Sequence, residues 1–576
     1  MTPLIKTRDP AQSEDQLPEE LHPMIRKILL SRGIHNSELI DLGIKRLHSP
    51  AKLLGLGAAA DLLAHAIRTD QSILIVGDFD ADGATGTALA VKALTAMGAA
   101  RVDFRVPNRF EFGYGLTEGL VETLEAEPPD VLVTVDSGIS CIAGVARAKK
   151  LGCKVIVTDH HLPGEHLPAA DAIVNPNVPG DTFPSKALAG VGVMFYLLSA
   201  VRSSLKKGGW FKAGREQPNL ASYLDLVALG TVADLVALDH NNRILVSQGM
   251  ARIRSGRASP GLMALLKIGK RDYRHLVASD LGFTVAPRLN AAGRLEDMSV
   301  GIRCLLSDDP IETADLAAEL DELNRSRRSM QKQMQDEASQ KLSVVLEALS
   351  NKPLPFSLCL HDPSWHQGIV GLVASKIKDR IHRPVIVFAP EHDGSSMLKG
   401  SARSVPGLHI RDVLAHVDSG HPDMISAFGG HAMAAGLSLQ AEKLTDFTEA
   451  LEESTHLFLN GIAPSAEIEI DGELAAVDIN LKFAQLIRDF GPWGQHFPEP
   501  LFEGTFEVIN HRVVGGAHLK MVVRPLDGRE PVDAIAFGRL PEHLPDSGAV
   551  RMLYRLDVNH FRGERTCQLM IERILN

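Results

Sequence analysis

Between residues 70 and 160, short unbroken apolar runs alternate with stretches of helical spacing. "SILIVG" (72–77), "VLVTVD" (131–136) and "KVIVTD" (154–159) are rich in β-branched residues. Runs of this length, apolar at nearly every position, suit strands buried on both faces of a sheet. The intervening "ATGTALAVKALTAMG" is helical in spacing, so the pattern predicts βαβ units and a parallel sheet. Upstream, "HPMIRKILLSRGI" predicts a short helix. Downstream, "LDLVALGTVADLVAL" (224–238) reads as an apolar helix interrupted at Gly230-Thr231, and the stretch 320–349, free of Gly and Pro, as one long helix. From about 465 the chain turns to short alternating segments such as "FEGTFEVINHRVV", "HLKMVVRP" and "TCQLMIERIL". Five or six of these predict a small barrel of the oligonucleotide-binding (OB) type. The expected class is α/β, organised as an N-terminal helical segment (1–50), a parallel-sheet domain (51–309), a connecting helix (310–350), a second α/β domain (351–460) and the β-barrel (461–576).

Composition narrows the function classes. The 576 residues are 45% hydrophobic, ample for several buried cores, and carry a formal net charge of −11. That charge argues against a generally cationic nucleic-acid coat, although a local basic channel is compatible with it. The five cysteines lie far apart without a CxxC pair, which suggests neither a disulfide framework nor a zinc knuckle. The polar, acidic N-terminal stretch lacks the order of a signal peptide, and no apolar run is long enough to span a bilayer. The expectation is a cytoplasmic protein without export or membrane insertion.

Each of the three buried runs stops on an acid: Asp78, Asp136 and Asp159. Ligands of parallel sheets bind beyond the carboxyl ends of the strands, so these acids converge on one edge. "ILIVGDFDADGATGTAL" then adds Asp80 and Asp82, placing three carboxylates on alternate positions where they repel one another. His160 and His161 follow Asp159, and Asp234 sits within an otherwise apolar run, where a lone carboxylate is costly. Taken singly, an acidic loop is ordinary solvated punctuation and a His pair is polar surface or a cap. Together, four such clusters on one sheet edge call for cations, and mixed oxygen and imidazole ligands suit Mn²⁺ or Mg²⁺ better than Zn²⁺.

In order and spacing, "DFDADGATGTAL", "VDSGIS", "TDHH" and "GTVADLV" resemble the DHH phosphoesterase family, named for a motif that is Asp159-His160-His161 here. "FGGHAMAAGLSL" (428–439) is similar to the glycine-rich signature of the DHH-associated second domain, and the tail resembles an OB barrel. Within the family, this three-part combination is similar to that of single-strand-specific 5′-to-3′ DNA exonucleases. The resemblance implies a two-metal centre using Mn²⁺ or Mg²⁺. In that reading Asp78 and Asp80 bind one ion, Asp82, His160 and Asp234 bind the other, and Asp136 bridges them. His161 stands beside the scissile phosphate as a catalytic residue with Asp136. Release of 5′-mononucleotides in DNA repair and recombination is implied too, as are a single-strand-binding protein and a helicase as partners and a monomeric state. One departure matters: many members carry a histidine where this chain has Val76, and Asp78, on the same strand face, is its candidate replacement. The alternatives are an oligonucleotide or nucleotide phosphatase of the same superfamily and a non-catalytic nucleic-acid-binding scaffold. The long helix and barrel argue against the first, the intact acidic cluster against the second.

Gripping a phosphodiester calls for cations on loops. "PNRFEFGYGL" (107–116) offers Arg109, and "APRLNAAGRL" (286–295) offers Arg288 and Asn290. In the second α/β domain, "KGSARSVPGLHI" offers Ser401 and Arg403 as a nest for a terminal phosphate. Gly429 and Gly430 permit close backbone approach beside His431, which reads either as a contact or as a capping residue. Arg325, Arg327, Arg328 and Lys332 of the long helix face either a strand or solvent. In the barrel the candidates are Lys520, Arg524, Arg562 and Arg565, and "GPWGQHFPEP" reads as a rigid linker packing Trp493 and Phe497.

Overall fold

The computed structural model describes residues 4–9, 15–109, 111–212, 214–348, 354–465, 467–541, 544, 548–561 and 563–575, with the backbone alone at 341–342 and 344–348. Two compact units form, one of residues 6–321 with 469–576, the other mainly of 322–468.

The larger unit is built on five parallel strands, β1 (Ser72–Gly77), β2 (Arg101–Arg105), β3 (Val131–Val135), β4 (Lys154–Thr158) and β5 (Ala172–Val174), in the order β2-β1-β3-β4-β5. β1, β3 and β4 are interior and almost wholly buried, which is why they read as unbroken apolar runs. The edge strand β2 is half exposed and β5 has three residues, so neither produces that signal. The register decides what happens at the strand ends. Gly77 pairs with Val135, Val135 with Thr158, and Thr158 with Val174. The next residues, Asp78, Asp136, Asp159 and Asn175, therefore leave the sheet at one level.

Helix α1 (Ala81–Ala96) starts directly after β1 and is buried along most of its length between α2 (Gly190–Lys207) and α3 (Leu224–Ala233). α3 runs unbroken through Gly230-Thr231, where the sequence pattern predicted an interruption. Gly230 is needed for proximity, because a Cβ there would lie 2.3 Å from Thr85 Oγ1 and 2.8 Å from Asp82 Oδ1. The helix ends at Asp234, and Leu235 beyond it takes a φ of 61°. Farther on come α4 (Ala286–Leu295) and the long α5 (Pro310–Ala348). α5 begins at the first residue of the expected connecting helix (310–350), ten residues ahead of the stretch 320–349 whose spacing reads as helical, since a proline in the first helical turn sacrifices no hydrogen bond; residues 349 and 350 lie outside the described residues.

In the smaller unit, β6 (Leu358–His361), β7 (Val385–Pro390), β8 (Met397–Arg403), β9 (Ala427–Gly430) and β10 (Ala434–Gln440) form a sheet in the order β9-β10-β8-β7-β6. Leu398 and Ala402 of β8 point into a core with Phe388, Leu414 and Phe447. Lys399, Ser401 and Arg403 alternate with them on the opposite face, where α6 (Val370–Ile381) packs: a Cβ on its Gly371 would meet Arg403 Nη2 at 2.6 Å and Ser401 Oγ at 2.9 Å.

The C-terminal strands belong to the larger unit and close a barrel. β11 (Gly472–Glu473) joins parallel to β12 (Phe502–Val514), and β13 (His518–Pro525), β14 (Val532–Ala536), β15 (Ala549–Phe561) and β16 (Glu564–Leu575) complete it, with β12 pairing to both β13 and β15. Trp493 and Phe497 stack at 4.9 Å, each covered by a guanidinium, Arg32 and Arg243 respectively. This packed joint lies in the connection between β11 and β12. No helix among the described residues is long and apolar enough to cross a membrane, and all five cysteines are free thiols.

Candidate active site

The carboxylates at the strand ends meet around His160. Ligand-capable atoms of Asp78, Asp80 and Asp136 lie within 4.8 Å of one another, as do those of Asp82, His160 and Asp234. His160 Nε2 stands 3.0 Å from Asp136 Oδ1 and 3.4 Å from Asp234 Oδ2, so Asp136 sits next to both groups. His161 is also within reach of Asp136 and His160.

Local structure explains how each acid is aimed. Asp80 caps α1, its Oδ1 accepting the N–H groups of Asp82 (2.9 Å) and Gly83 (3.1 Å). Asp82, fully buried, accepts from the first turn of α2: Gly190 N to Oδ2 at 2.6 Å and Val191 N to Oδ1 at 2.9 Å. Asp136 has a φ of 62°, an uncommon conformation for a non-glycine residue, held by its N–H bond to Thr158 O at 3.1 Å. Three carboxylate oxygens, Asp78 Oδ1, Asp136 Oδ1 and Asp234 Oδ2, are buried without a hydrogen bond among the described residues.

The electrostatics follow. Burial, then the charge of Asp80, raises Asp78 well above the usual carboxylate range. Asp136 and Asp234 are raised likewise, by burial first and then by Asp82 and Asp80. Asp82 is pushed up to about 7 by burial and Asp80, against the pull of its two backbone N–H bonds. Such a cluster is poorly solvated, and three of its oxygens have no hydrogen-bond partner among the described residues. Convergent oxygens with one imidazole fit Mn²⁺ or Mg²⁺, and no cysteine belongs to these groups among the described residues. Val76 lies in the apolar core and Asp78 occupies the edge of the cluster.

Asp159 has a different task. It accepts backbone N–H groups from His160 (2.7 Å), His161 (3.1 Å) and Ile139 (2.9 Å), and its Oδ1 lies 2.7 Å from His161 Nδ1. Burial works to raise its carboxyl, but these bonds hold it below the ordinary value. Burial works to lower the His161 imidazole, and Asp159 raises it above the ordinary value. This contact with Asp159 fixes the orientation of the His161 ring beside the cluster. Asn175 and Asn177 donate to the carbonyls of His161 (2.9 Å) and His160 (2.5 Å), fixing the loop. The sequence reading missed them, although "NPN" directly after a three-residue strand is a turn signal.

The anticipated substrate contacts separate. Arg109 covers Phe79 at 4.5 Å beside the cluster, where burial lowers its pKa and Asp78 and Asp80 act to raise it. Asn290 is committed inside: its Oδ1 accepts Ala81 N–H at 2.7 Å and anchors the start of α1. Arg288 is buried, with Nε 2.9 Å from Asp321 Oδ1 and Nη1 2.5 Å from Thr284 O. Both were expected on a phosphate, and the structure engages both in the fold, because α4 packs inward at these positions. Arg327 bonds Asn324 Oδ1 at 3.0 Å, while Arg328 and Lys332 are exposed.

In the smaller unit, Arg403 Nη1 donates to Ser401 Oγ (2.9 Å) and Ala402 O (2.8 Å), and no carboxylate among the described residues pairs with it. Gly429 lies opposite Gly436, which lies opposite Ser401. A Cβ at Gly429 would meet nothing within 4 Å, whereas Gly430, at φ 142°, is closed by Ala434 and Ala435. His431 N–H bonds Ala434 O at 2.8 Å across the hairpin. In the barrel, Lys520 and Arg524 pair with Asp533 and Glu507 on neighbouring strands and are partly neutralised, whereas Arg565 bonds the uncharged amide of Gln485. Arg562 lies outside the described residues.

Comparison with known proteins gives three family matches: the DHH family, N-terminal domain, over residues 72–231, the DHHA1 domain over 345–456 and the RecJ OB domain over 470–573. The chain is 49% identical over 572 residues to the single-stranded-DNA-specific exonuclease RecJ of Salmonella typhimurium, covering 98% of each chain. It is 49% identical to that of Escherichia coli, covering 99% of this chain and 98% of the relative. A crystal structure of RecJ from Thermus thermophilus in complex with Mn²⁺ aligns with a TM-score of 0.79 at 29% identity, covering 99% of this chain and 80% of that one.

Proposed function

Because the chain belongs to the RecJ family of single-stranded-DNA-specific exonucleases, we propose that it hydrolyses single-stranded DNA from the 5′ end. It would release 5′-mononucleotides with Mn²⁺ or Mg²⁺ bound. The observation that carries this reading is the convergence of Asp78, Asp80 and Asp136 and of Asp82, His160 and Asp234, with oxygens of Asp78, Asp136 and Asp234 buried and without a hydrogen bond among the described residues. In this reading Asp78, Asp80 and Asp136 would hold one ion, and Asp82, His160 and Asp234 the other, with Asp136 next to both. When bound, such a pair of ions lowers the pKa of a water and neutralises charge on a phosphoryl group. His161, oriented by Asp159, presents its imidazole to a phosphoryl oxygen and stabilises the charge that develops there. Arg109 grips the substrate from the rim.

A metal centre alone does not select an end. Arg403 is a half-buried cation without a carboxylate partner among the described residues, and such a group is satisfied by an anion. It and Ser401 are assigned to the 5′-terminal phosphate, with the open backbone at Gly429 and the adjoining Gly430 and His431 as strand contacts. Asn290 and Arg288 support the site from within. The activity belongs to the cytoplasm, in DNA repair and recombination, with the monomer as working unit and a single-strand-binding protein and a helicase as partners. The test is degradation of labelled single-stranded and duplex DNA and RNA, each with either end blocked, with Mg²⁺ or Mn²⁺. Loss from the 5′ end of single-stranded DNA is expected. Digestion from the 3′ end, or of mononucleotide and dinucleotide esters alone, would overturn the reading.

A further inference from the structure

Tyr114 has no part in the roles assigned so far, although it borders the carboxylate cluster. Its loop is set by two glycines in the left-handed region, Gly113 (φ 79°) and Gly115 (φ 70°). A Cβ on Gly115 would also lie 2.8 Å from Cys141 Sγ, so the turn is closed to other residues twice over. The Tyr114 hydroxyl donates to Asp136 O at 3.2 Å, tying the ring to the strand end that carries the shared carboxylate. The ring stands nearly perpendicular to Phe79 (5.9 Å, 78°) and to His161 (6.1 Å, 82°). Arg109 in turn lies over Phe79. Held at its hydroxyl and by two neighbouring rings, Tyr114 nevertheless keeps 41% of its surface exposed. An aromatic ring that is immobilised, exposed and next to catalytic groups has lost its conformational freedom without gaining full burial. A ligand with a flat apolar face recovers that loss.

We infer that Tyr114 is a stacking platform for a nucleobase next to the scissile phosphate, so that it positions the strand without reading its sequence. Every base has a π face, which makes such a contact strong and sequence-tolerant. The anchoring to Asp136 O sets the platform relative to the metal-binding carboxylates, so the stacked nucleotide is located relative to the reacting bond. This inference rests on the reading that single-stranded DNA is the substrate.

The experiment uses the full chain with Mn²⁺ and 5′-phosphorylated strands whose first or second nucleotide is replaced by a tetrahydrofuran abasic analogue, which keeps the backbone and removes the base. In single turnovers the wild type should cleave the intact strand about tenfold faster than one of the two abasic strands, the scale of losing one base–aromatic stack. Tyr114→Phe retains the ring and should retain that ratio. Tyr114→Leu retains bulk without a π face, and should bring the ratio close to one by slowing the intact strand alone. Mn²⁺ binding, followed by electron paramagnetic resonance, should be preserved in both variants. Equal slowing of intact and abasic strands by Tyr114→Leu, or loss of bound Mn²⁺ in that variant, would overturn the inference and leave Tyr114 as a support for Asp136. A wild-type ratio of one at both positions would overturn it as well. Wild type that leaves intact single strands undegraded would instead sink the functional reading and this inference with it, a result distinguishable from the others.

Discussion

Replacing Gly190 with alanine adds one methyl group and no charge, yet it aims that methyl at the proposed metal centre. A Cβ on Gly190 lies 2.5 Å from Asp136 Cβ, 2.8 Å from its Cγ and 2.7 Å from Oδ1. Ordinary contact begins at 3.4 Å, so Oδ1 must retreat by roughly 0.7 Å unless the helix gives way. Neither side yields freely. Gly190 N–H is bonded to Asp82 Oδ2 at 2.6 Å, and the Asp136 backbone is bonded to Thr158 at 3.1 Å. Overpacking of this kind costs about 1–3 kcal/mol, and displacing a reacting group by ~1 Å costs on the order of 10²-fold in rate. Gly190→Ala should therefore lower the midpoint of thermal unfolding by several degrees, weaken Mn²⁺ binding and reduce turnover by about 10²-fold. The control is Gly57→Ala, on an exposed helical position where a Cβ would meet nothing within 4 Å. It should gain up to about 1 kcal/mol of stability from helix propensity with unchanged activity. Calorimetry, Mn²⁺ titration and single-turnover hydrolysis measure the three quantities. Wild-type metal affinity and rate in Gly190→Ala would refute the placement of Asp136 between the two ligand groups.

Three further outcomes are expected. His161→Ala should lower turnover by about 10²-fold or more with Mn²⁺ affinity little changed; a large loss of bound metal would move His161 among the ligands, which its reach to Asp136 and His160 permits. Arg403→Ala should weaken 5′-phosphorylated strands by roughly 1.5–3 kcal/mol and 5′-hydroxyl strands much less; equal losses would reduce Arg403 to a support of its sheet. Because burial raises Asp78, Asp136 and Asp234, and takes Asp82 to about 7, these acids ionise less readily than ordinary carboxylates, and metal binding, which needs the ionised form, should release protons. Titration calorimetry in buffers of different ionisation enthalpy should show net proton release, with Mn²⁺ affinity rising as pH rises. For Asp82, the metal-free fold should lose stability from the ordinary carboxylate range up to about pH 7, since the unfolded chain ionises first. Buffer-independent heats would contradict this.

Much of the proposed metal centre is legible from the amino-acid order alone, for a definite reason. A strand buried on both faces is apolar throughout, so an acid that ends one stands out, and Asp78, Asp136 and Asp159 do. Asp234 is visible because a carboxylate interrupts an apolar helix, and Asp80 and Asp82 because alternate acids repel one another without a cation. What one element shows about its own burial, however, says little about its neighbours. The edge strand Arg101–Arg105 and the three-residue strand Ala172–Val174 lack the apolar run, and with the second went the placement of Asn175 and Asn177 under the two histidines. The division of labour between the acids was hidden too. Asp159 is a support for His161 and its loop, while Asp82 answers the first turn of a helix more than a hundred residues away. Gly230 looked like a helix breaker when only its own propensity was weighed, and proved to be a point of close approach. Arg288 and Asn290 looked available because a loop arginine and asparagine usually are, until packing turned them toward Asp321 and Ala81. Composition and period report whether a position is buried. Which partner a buried polar group meets is set by register and by the distance between elements far apart in the chain, and those exist only once the sheet and its covering helices have formed.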